Sequence, residues 1–274
     1  MCWRVSEPAR LTEHDLKQIT SADNPQFKAL LKLVHSSRER RLAGYSLLDG
    51  VHLLQAYRLR LGEPEQIIVS HAGADNPEIR ALLQNAAHVW LLSDHLFKQL
   101  SSVATPTGVI AVIKTPRRVG LPGALDTCVM LEDVQDPGNL GSILRSCAAA
   151  SVRQIFLSIH CVNAWSPRVL RAGMGAHFSL EVHERIDLLA LARAFPGRVL
   201  VAQQHATKSV FNTDLRGKIA LVFGNEGAGV SDALLQCAHG AMAIPMSAST
   251  ESLNVAAAAA VCLFERVRQT QGRC

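Results

Sequence analysis

Polar residues able to do chemistry gather in three stretches, each following a short apolar run. The first runs Glu132-Asp133-Val134-Gln135-Asp136-Pro137-Gly138-Asn139 and leads on to Arg145. Asp136-Pro137-Gly138 makes a turn, after which Asn139 is placed to cap a helix whose apolar side is Leu140, Leu144, Cys147 and Ala148. Arg145 then falls in the second turn of that expected helix, beside the small Ala148 and Ala149, with its long side chain uncrowded. The second stretch, Gly224-Asn225-Glu226-Gly227-Ala228-Gly229, has three glycines in six positions, which lets main chain approach a ligand closely. The third runs from Pro245 to Asn254, and Ser252 or Asn254 can cap the alanine-rich helix after it. Taken singly, each of these residues also reads as a cap or a solvated side chain.

Two nucleotide chemistries are excluded by spacing. The glycine order is G-x-x-G-x-G and not the dinucleotide G-x-G-x-x-G, and Ile244, Pro245 and Met246 stand where an acidic ribose ligand would be expected. Gly217-Lys218 is followed by Ile219, where a phosphate loop needs Ser or Thr. Eleven histidines include no H-E-x-x-H, and His177, Glu181 and His183 fall in an alternating stretch that predicts a half-exposed strand, so no metal is expected.

The elements that must position these stretches are legible as apolar runs. Strand-like segments recur at Cys128-Leu131, Ile155-Ile159, Val199-Ala202, Ile219-Phe223 and Ala241-Ile244, separated by helical patterns or glycine-bearing turns. This predicts an α/β domain with a parallel sheet covered on both faces, whose ligands sit beyond the carboxyl ends of the strands. The loops after Leu131, Phe223 and Ile244 are therefore the places for chemistry. Upstream, helical patterns after Asn24-Pro25 and after Gly50 alternate with β-rich runs at Ile67-Val69, Val89-Leu92 and Val109-Ile113. That is a second, small α/β domain. The turn-rich, basic segment Lys114 to Gly123 separates the two, giving residues 1–115 as one domain, 116–125 as a linker and 126–274 as the other.

Composition supports a folded chain without a membrane span. At 274 residues, 48% hydrophobic and 19% charged, it can bury a real core. The longest apolar run, Val255 to Phe264, covers ten residues, short of the roughly 18 to 20 a bilayer needs. Arg4, Glu7 and Arg10 interrupt the start, so a secretory signal is not expected and the chain is placed in the cytoplasm. Seven cysteines with no C-x-x-C pair read as buried thiols. The net charge of +5 is concentrated early: residues 1–120 hold 15 Lys/Arg against 11 Asp/Glu, a balance that suits a polyanion. Lys28, Lys32, Arg38, Arg40 and Arg41 form a basic group on or after one helix, read either as a solvated face or as a set of phosphate contacts.

Taken together, DPGNLGSILRS (136–146), FGNEGAGVS (223–231) and IPMSASTESLNVAAA (244–258) resemble, in order and separation, the SpoU (TrmH-type) group of the SPOUT RNA methyltransferases. ITSADNPQFKALLKLVHSSRERR (19–41) with LLDGVHLL (47–54) is similar to the substrate-binding domain often joined to them, which resembles small RNA-binding ribosomal proteins. The resemblance implies a homodimeric α/β catalytic domain whose C-terminal segment threads a loop into a deep trefoil knot. It also implies transfer of a methyl group from S-adenosyl-L-methionine to a ribose 2'-hydroxyl in rRNA or tRNA, without a metal. Gly224, Ile244 and Leu253 would mark the cofactor loops, and Asn139, Arg145, Glu226, Ser252 and Asn254 would be the polar catalytic set. The chain departs from the family at Ala248 and Ser151, where glycine is usual, and at Asp49-Gly50, where Glu-Gly is usual.

A neutral hydroxyl is a weak nucleophile, so the implied reaction needs alignment to about 3 to 3.5 Å and help with one proton. Arginine is a poor proton acceptor, so Arg145 is expected to pair with RNA phosphate and stabilise the developing alkoxide, with the proton going to phosphate, water or a transiently neutral guanidine. Asn139 would hold the arginine or the ribose, Ser252 and Asn254 would face the same nucleotide, and Glu226 would orient a neighbouring loop or the arginine. The two-domain layout favours rRNA over tRNA as substrate. A non-catalytic RNA-binding or ribosome-assembly protein is the other class that fits the fold.

Overall fold

In the computed structural model, residues 16–84, 86–116, 118, 120–247 and 252–271 are described. Ala248, Cys2, Cys274 and the charged start of the chain lie outside them. The chain divides into two compact units, one of Met1–Thr115 with Trp165–Pro167, the other of Pro116–Ala164 and Arg168–Cys274.

The first unit runs β1 (Leu16–Ile19), α1 (Pro25–His35), α2 (Ser37–Ala43), β2 (Tyr45–Asp49), α3 (Val51–Leu61), β3 (Gln66–Ser70), α4 (His71–Ala74), α5 (Pro77–Leu83), β4 (Val89–Leu92), α6 (Asp94–Leu100) and β5 (Val109–Lys114). Its sheet has the order β1-β4-β3-β5-β2; β1, β4 and β3 are parallel, and β5 is antiparallel to β3 and β2. Asn24 caps α1 by accepting from the Gln26 amide at 2.8 Å, with Pro25 at the first helical position, and Phe27, Leu30 and Leu33 go into the core. Two strands, β1 and β2, are additions to the expectation: the sequence marks Leu47-Leu48 only as part of a motif, yet they form a strand paired with β5. At its end Asp49 accepts from Ser101 Oγ (2.7 Å) and the Ser102 amide (3.1 Å), fixing the loop that leads to β5.

The second unit runs β6 (Cys128–Leu131), α7 (Pro137–Ala149), β7 (Gln154–Leu157), α8 (Pro167–Gly173), β8 (Glu181–His183), α9 (Leu188–Ala194), β9 (Arg198–Ala202), β10 (Ile219–Phe223), α10 (Asp232–Cys237), β11 (Gly240–Met242) and α11 (Val255–Thr270). Its six strands, in the order β11-β9-β10-β6-β7-β8, are all parallel. β10 lies centrally with all five residues buried, as a near-continuous apolar run in a doubly covered sheet requires. Register does the positioning: Leu131 pairs with Phe223, Val201 with Val222, and Ala202 with Met242. Four strands therefore end level, and their loops open at one end of the sheet.

The last strand is shorter than its apolar run: β11 stops at Met242, and Ala243 makes instead an isolated bridge to Ser209. At the end of α7, the Ser151 amide bonds to Ala148 O (3.2 Å) and the Val152 amide to Cys147 O (2.9 Å), a Schellman closure that puts Ser151 at φ 58°. Glycine suits that seat because it has no Cβ to clash, which gives the family's usual residue a physical reason.

Candidate active site

The start of α7 corrects one expectation. Asp136, not Asn139, caps the helix: its carboxylate accepts from the Asn139 amide at 2.7 Å, and Pro137 takes the first helical position. The helix begins three residues earlier than the sequence suggested, which frees the Asn139 side chain.

That side chain joins the three loops. Asn139 Nδ2 donates to Glu226 Oε1 at 2.9 Å, and Asn139 Oδ1 accepts from Asn254 Nδ2 at 2.8 Å. Asn254 in turn caps α11, its Oδ1 accepting from the amides of Ala256 (2.9 Å) and Ala257 (3.3 Å). A carboxylate only accepts and a helix N-terminus only donates, so the two amides between them have a single consistent orientation. Glu226 thus orients Asn139 by a charge-assisted bond.

The glycine turn begins at Gly224 because nothing larger fits: a Cβ there would lie 2.1 Å from Gly229 O. Beside the turn is a cavity of about 380 Å³, within the range of small-molecule sites. Gly224, Glu226, Ile244, Ser252, Leu253 and Asn254, all expected from the sequence, line it. The sequence reading missed Gln203 and Gln204, which also line it, together with Met242 and Met246. The sequence carries their signal: the apolar run Val199-Ala202 marks a strand, and in the sheet its loop opens beside those of β10 and β11. Met242, Ile244, Met246 and Leu253 offer apolar surface, and the glycine-exposed main chain and the two glutamine amides offer donors and acceptors, a lining that suits a ligand with both apolar and polar parts.

Arg145 is not part of the cavity lining. It stands exposed in the third turn of α7, one turn later than expected, and makes no hydrogen bond or ion pair among the described residues. Beneath it, Gly141 packs on α8, where a Cβ would sit 2.4 Å from Ala172 Cβ, and Gly173 leaves room for the His177 ring.

The histidines correct a second expectation. His183 does lie in a strand, but His177 sits in a 3-10 turn, Ala176–Ser179, and both are buried rather than half-exposed. His177 Nε2 lies 2.9 Å from Ala164 O, and burial holds its imidazole down to about 4. His183 Nδ1 lies 2.9 Å from Gly120 O, with the ring stacked on Phe156. Among the described residues no group of three or more His, Cys, Asp or Glu could hold a metal, and no helix is long and apolar enough to cross a membrane. Cys128, Cys147 and Cys262 are buried, and burial pushes the Cys262 thiol up to about 12, whereas Cys161 and Cys237 are half-buried.

The five basic residues of the first unit do not form one face. Arg38, Arg40 and Arg41 lie on a separate helix, α2, begun by Ser36, whose Oγ accepts from the Glu39 amide. Arg40 is buried, and its Nη1 donates to Leu33 O (2.7 Å) and Val34 O (3.0 Å) at the end of α1. It closes a helix terminus and is unsuited to phosphate. Lys28 is exposed but paired with Asp23 at 2.8 Å, a contact that draws the Asp23 carboxyl below its usual range. Arg41 is half-buried, and Lys32 and Arg38 are exposed.

A six-stranded parallel sheet with an α-helical cover and a small-molecule cavity at its strand ends defines an α/β ligand-binding domain, and its solved likenesses are SPOUT methyltransferases. A crystal structure of an RNA 2'-O ribose methyltransferase superposes with a TM-score of 0.80 at 29% identity, covering 93% of this chain and 99% of that one. The SpoU methyltransferase AviRb from Streptomyces viridochromogenes, in complex with AdoMet, gives 0.82 at 26% identity over 91% and 100% of the two chains. Residues 126–264 match the SpoU rRNA Methylase family, and residues 24–111 match the MRM3-like substrate binding domain. The chain belongs to the SpoU rRNA methylase family. Among curated relatives, an uncharacterized tRNA/rRNA methyltransferase of Synechocystis is 34% identical over 93% of this chain and 95% of its own length. The 23S rRNA (guanosine(2553)-2'-O)-methyltransferase RlmP of Bacillus subtilis is 30% identical over 91% and 98%.

Proposed function

We propose that the chain is an S-adenosylmethionine-dependent methyltransferase acting on a ribose 2'-hydroxyl of ribosomal RNA. The observation that carries this is the hydrogen-bonded series Glu226–Asn139–Asn254 on the rim of the 380 Å³ cavity, formed by the three segments that carry the family's motifs. When bound, S-adenosylmethionine supplies an electrophilic methyl group. Gly224, Ile244 and Leu253 hold it through main chain and apolar surface, and Gln203 and Gln204 offer side-chain amides to its polar edges. Ser252 and Asn254 hold the ribose. Glu226 fixes Asn139, which in turn fixes Asn254.

Arg145 pairs with RNA phosphate and stabilises charge developing on the attacking oxygen. Because it lies outside the lining of its own cavity, we assign it to the cavity of a second copy, in a homodimer formed through the catalytic domain. Residues 126–274 then carry catalysis, with the knot its family implies; residues 1–115 bind RNA, Lys32 and Arg38 with Lys28 and Arg41 touching phosphate, and 116–125 link the two. A cytoplasmic location belongs to the same reading. Calorimetry with S-adenosylmethionine, followed by primer-extension mapping of 2'-O-methylation in a deletion strain, tests it. Binding together with one missing methyl in rRNA is expected. A missing methyl in tRNA would redirect the substrate, and binding of RNA without cofactor would leave an RNA-binding or ribosome-assembly protein.

A further inference from the structure

The glycine turn is tied to the rest of the site through a residue that none of the roles above uses. Asn225 Oδ1 accepts from the amides of Gly227 (2.9 Å) and Ala228 (3.0 Å), and its main chain pairs with Gly229 in both directions at 2.9 Å. Its Nδ2 points the other way, donating at 2.8 Å to the carbonyl of Asp133, 92 residues earlier in the chain. Asp133 has φ 55°, a left-handed conformation that a non-glycine residue keeps only where its surroundings fix it. Ser158 supplies part of that restraint: its Oγ accepts from the Asp133 amide at 2.9 Å and donates to Asp133 Oδ1. The neighbouring Glu132 fastens the far end of the turn, its Oε2 accepting from the Ser231 amide at 2.7 Å.

We infer that Asn225 is a positioning residue that couples the wall of the cofactor cavity to the loop carrying Asn139, so that cofactor binding also sets the groups that hold the ribose. This rests on the methyltransferase reading above. The turn provides cavity wall on one side, and six residues after Asp133 the chain reaches Asn139, the centre of the polar series. The Asn225 side chain bonds to both, at the base of the loop, where the Glu226–Asn139 bond joins them at the tip. An aspartate at this position keeps the one oxygen that accepts from both turn amides but cannot donate to the Asp133 carbonyl, and its charge faces that oxygen. The two functions of the residue can therefore be separated.

The test compares full-length wild type with Asn225→Asp and Asn225→Ala. Calorimetry measures S-adenosylmethionine affinity, hydrogen exchange measures protection of residues 133–139 with and without the cofactor, and single-turnover transfer uses deproteinised ribosomal RNA from a strain lacking the gene. In wild type the cofactor should slow exchange across 133–139. In Asn225→Asp the affinity should stay within about threefold while that protection disappears and transfer slows at least about tenfold. Asn225→Ala should lose about tenfold in affinity as well. Cofactor-linked protection retained in Asn225→Asp overturns the coupling. So does a fall in affinity and rate in proportion to the folded fraction, the mark of a purely structural residue. A wild type that binds the cofactor yet methylates no ribosomal RNA defeats the functional reading instead, and the exchange data still decide the coupling.

Discussion

At the strand ends of the C-terminal unit, Asn139 meets partners 87 and 115 residues away, and each side chain has its donors and acceptors assigned by the next. In the N-terminal unit, Lys28, Lys32, Arg38, Arg40 and Arg41 lie within two successive helices, and Lys28 bonds locally to Asp23 and Arg40 to Leu33 and Val34. The first region is built by register between distant strands, and displacing one member disturbs all. The second is built by helix periodicity, and each residue has its own fate. Substitutions should therefore behave as a unit in one place and independently in the other.

The sharpest break is expected at Arg145. Arg145→Ala should lower turnover at saturating RNA about a thousandfold if it stabilises transition-state charge, with Arg145→Lys recovering part of it. Wild-type rates in both would remove Arg145 from the chemistry. Mixing Arg145→Ala with Asn254→Ala protein locates it: if each cavity takes its arginine from the other copy, randomly mixed dimers regain about a quarter of wild-type activity. An arginine acting on its own cavity predicts no recovery.

The packing under α7 offers a pH-dependent test of the same region. His177 takes a proton near pH 4 in the fold and near 6.5 when unfolded, so the unfolded chain binds more protons as pH falls. Stability is full above pH 6.5 and declines down to pH 4, by about 3 kcal/mol in all. Urea melts at pH 7 and 4.5 should show this loss in wild type and a much smaller one in His177→Gln; equal losses would assign the acid sensitivity elsewhere.

Asn139→Asp tests whether the polar series acts as a unit. It sets a carboxylate against Glu226 while leaving the Asp136 cap intact, so kcat should fall about a hundredfold with little change in melting temperature. A double variant with Glu226→Gln, which removes the repulsion, should recover part of the rate. Additive losses would show two independent residues.

The contrast also explains what was legible. The parallel sheet and its strands follow from apolar runs, because buried strands leave a clear pattern, whereas six of the cavity residues follow from the resemblance of the three motifs to the family. The sequence puts Asn139 at a helix start but does not settle the cap, since Asp136 and Asn139 are both good caps and only the fold shows which carbonyl begins the helix. Gln203 and Gln204 carry no such mark, because the stretch from Gln203 to Thr207 holds no glycine or formal charge, and only its level with Phe223 in the sheet places it. In the basic helices, composition counts charges but not directions, so Arg40 looked like its neighbours.

Those neighbours allow the finest distinction. Arg40 is 5% exposed and donates to two carbonyls of α1, so Arg40→Ala should cost about 2 kcal/mol in urea melts and weaken RNA binding only as far as it unfolds the unit. Lys32 and Arg38 are exposed, and alanine at either should leave stability within about 0.5 kcal/mol. If they touch phosphate, each change should reduce the slope of log affinity against log salt by about one, uniformly across RNA sequences. Unchanged slopes would make these two side chains a solvated face, and would leave RNA recognition to the rest of the N-terminal unit and to the strand ends themselves.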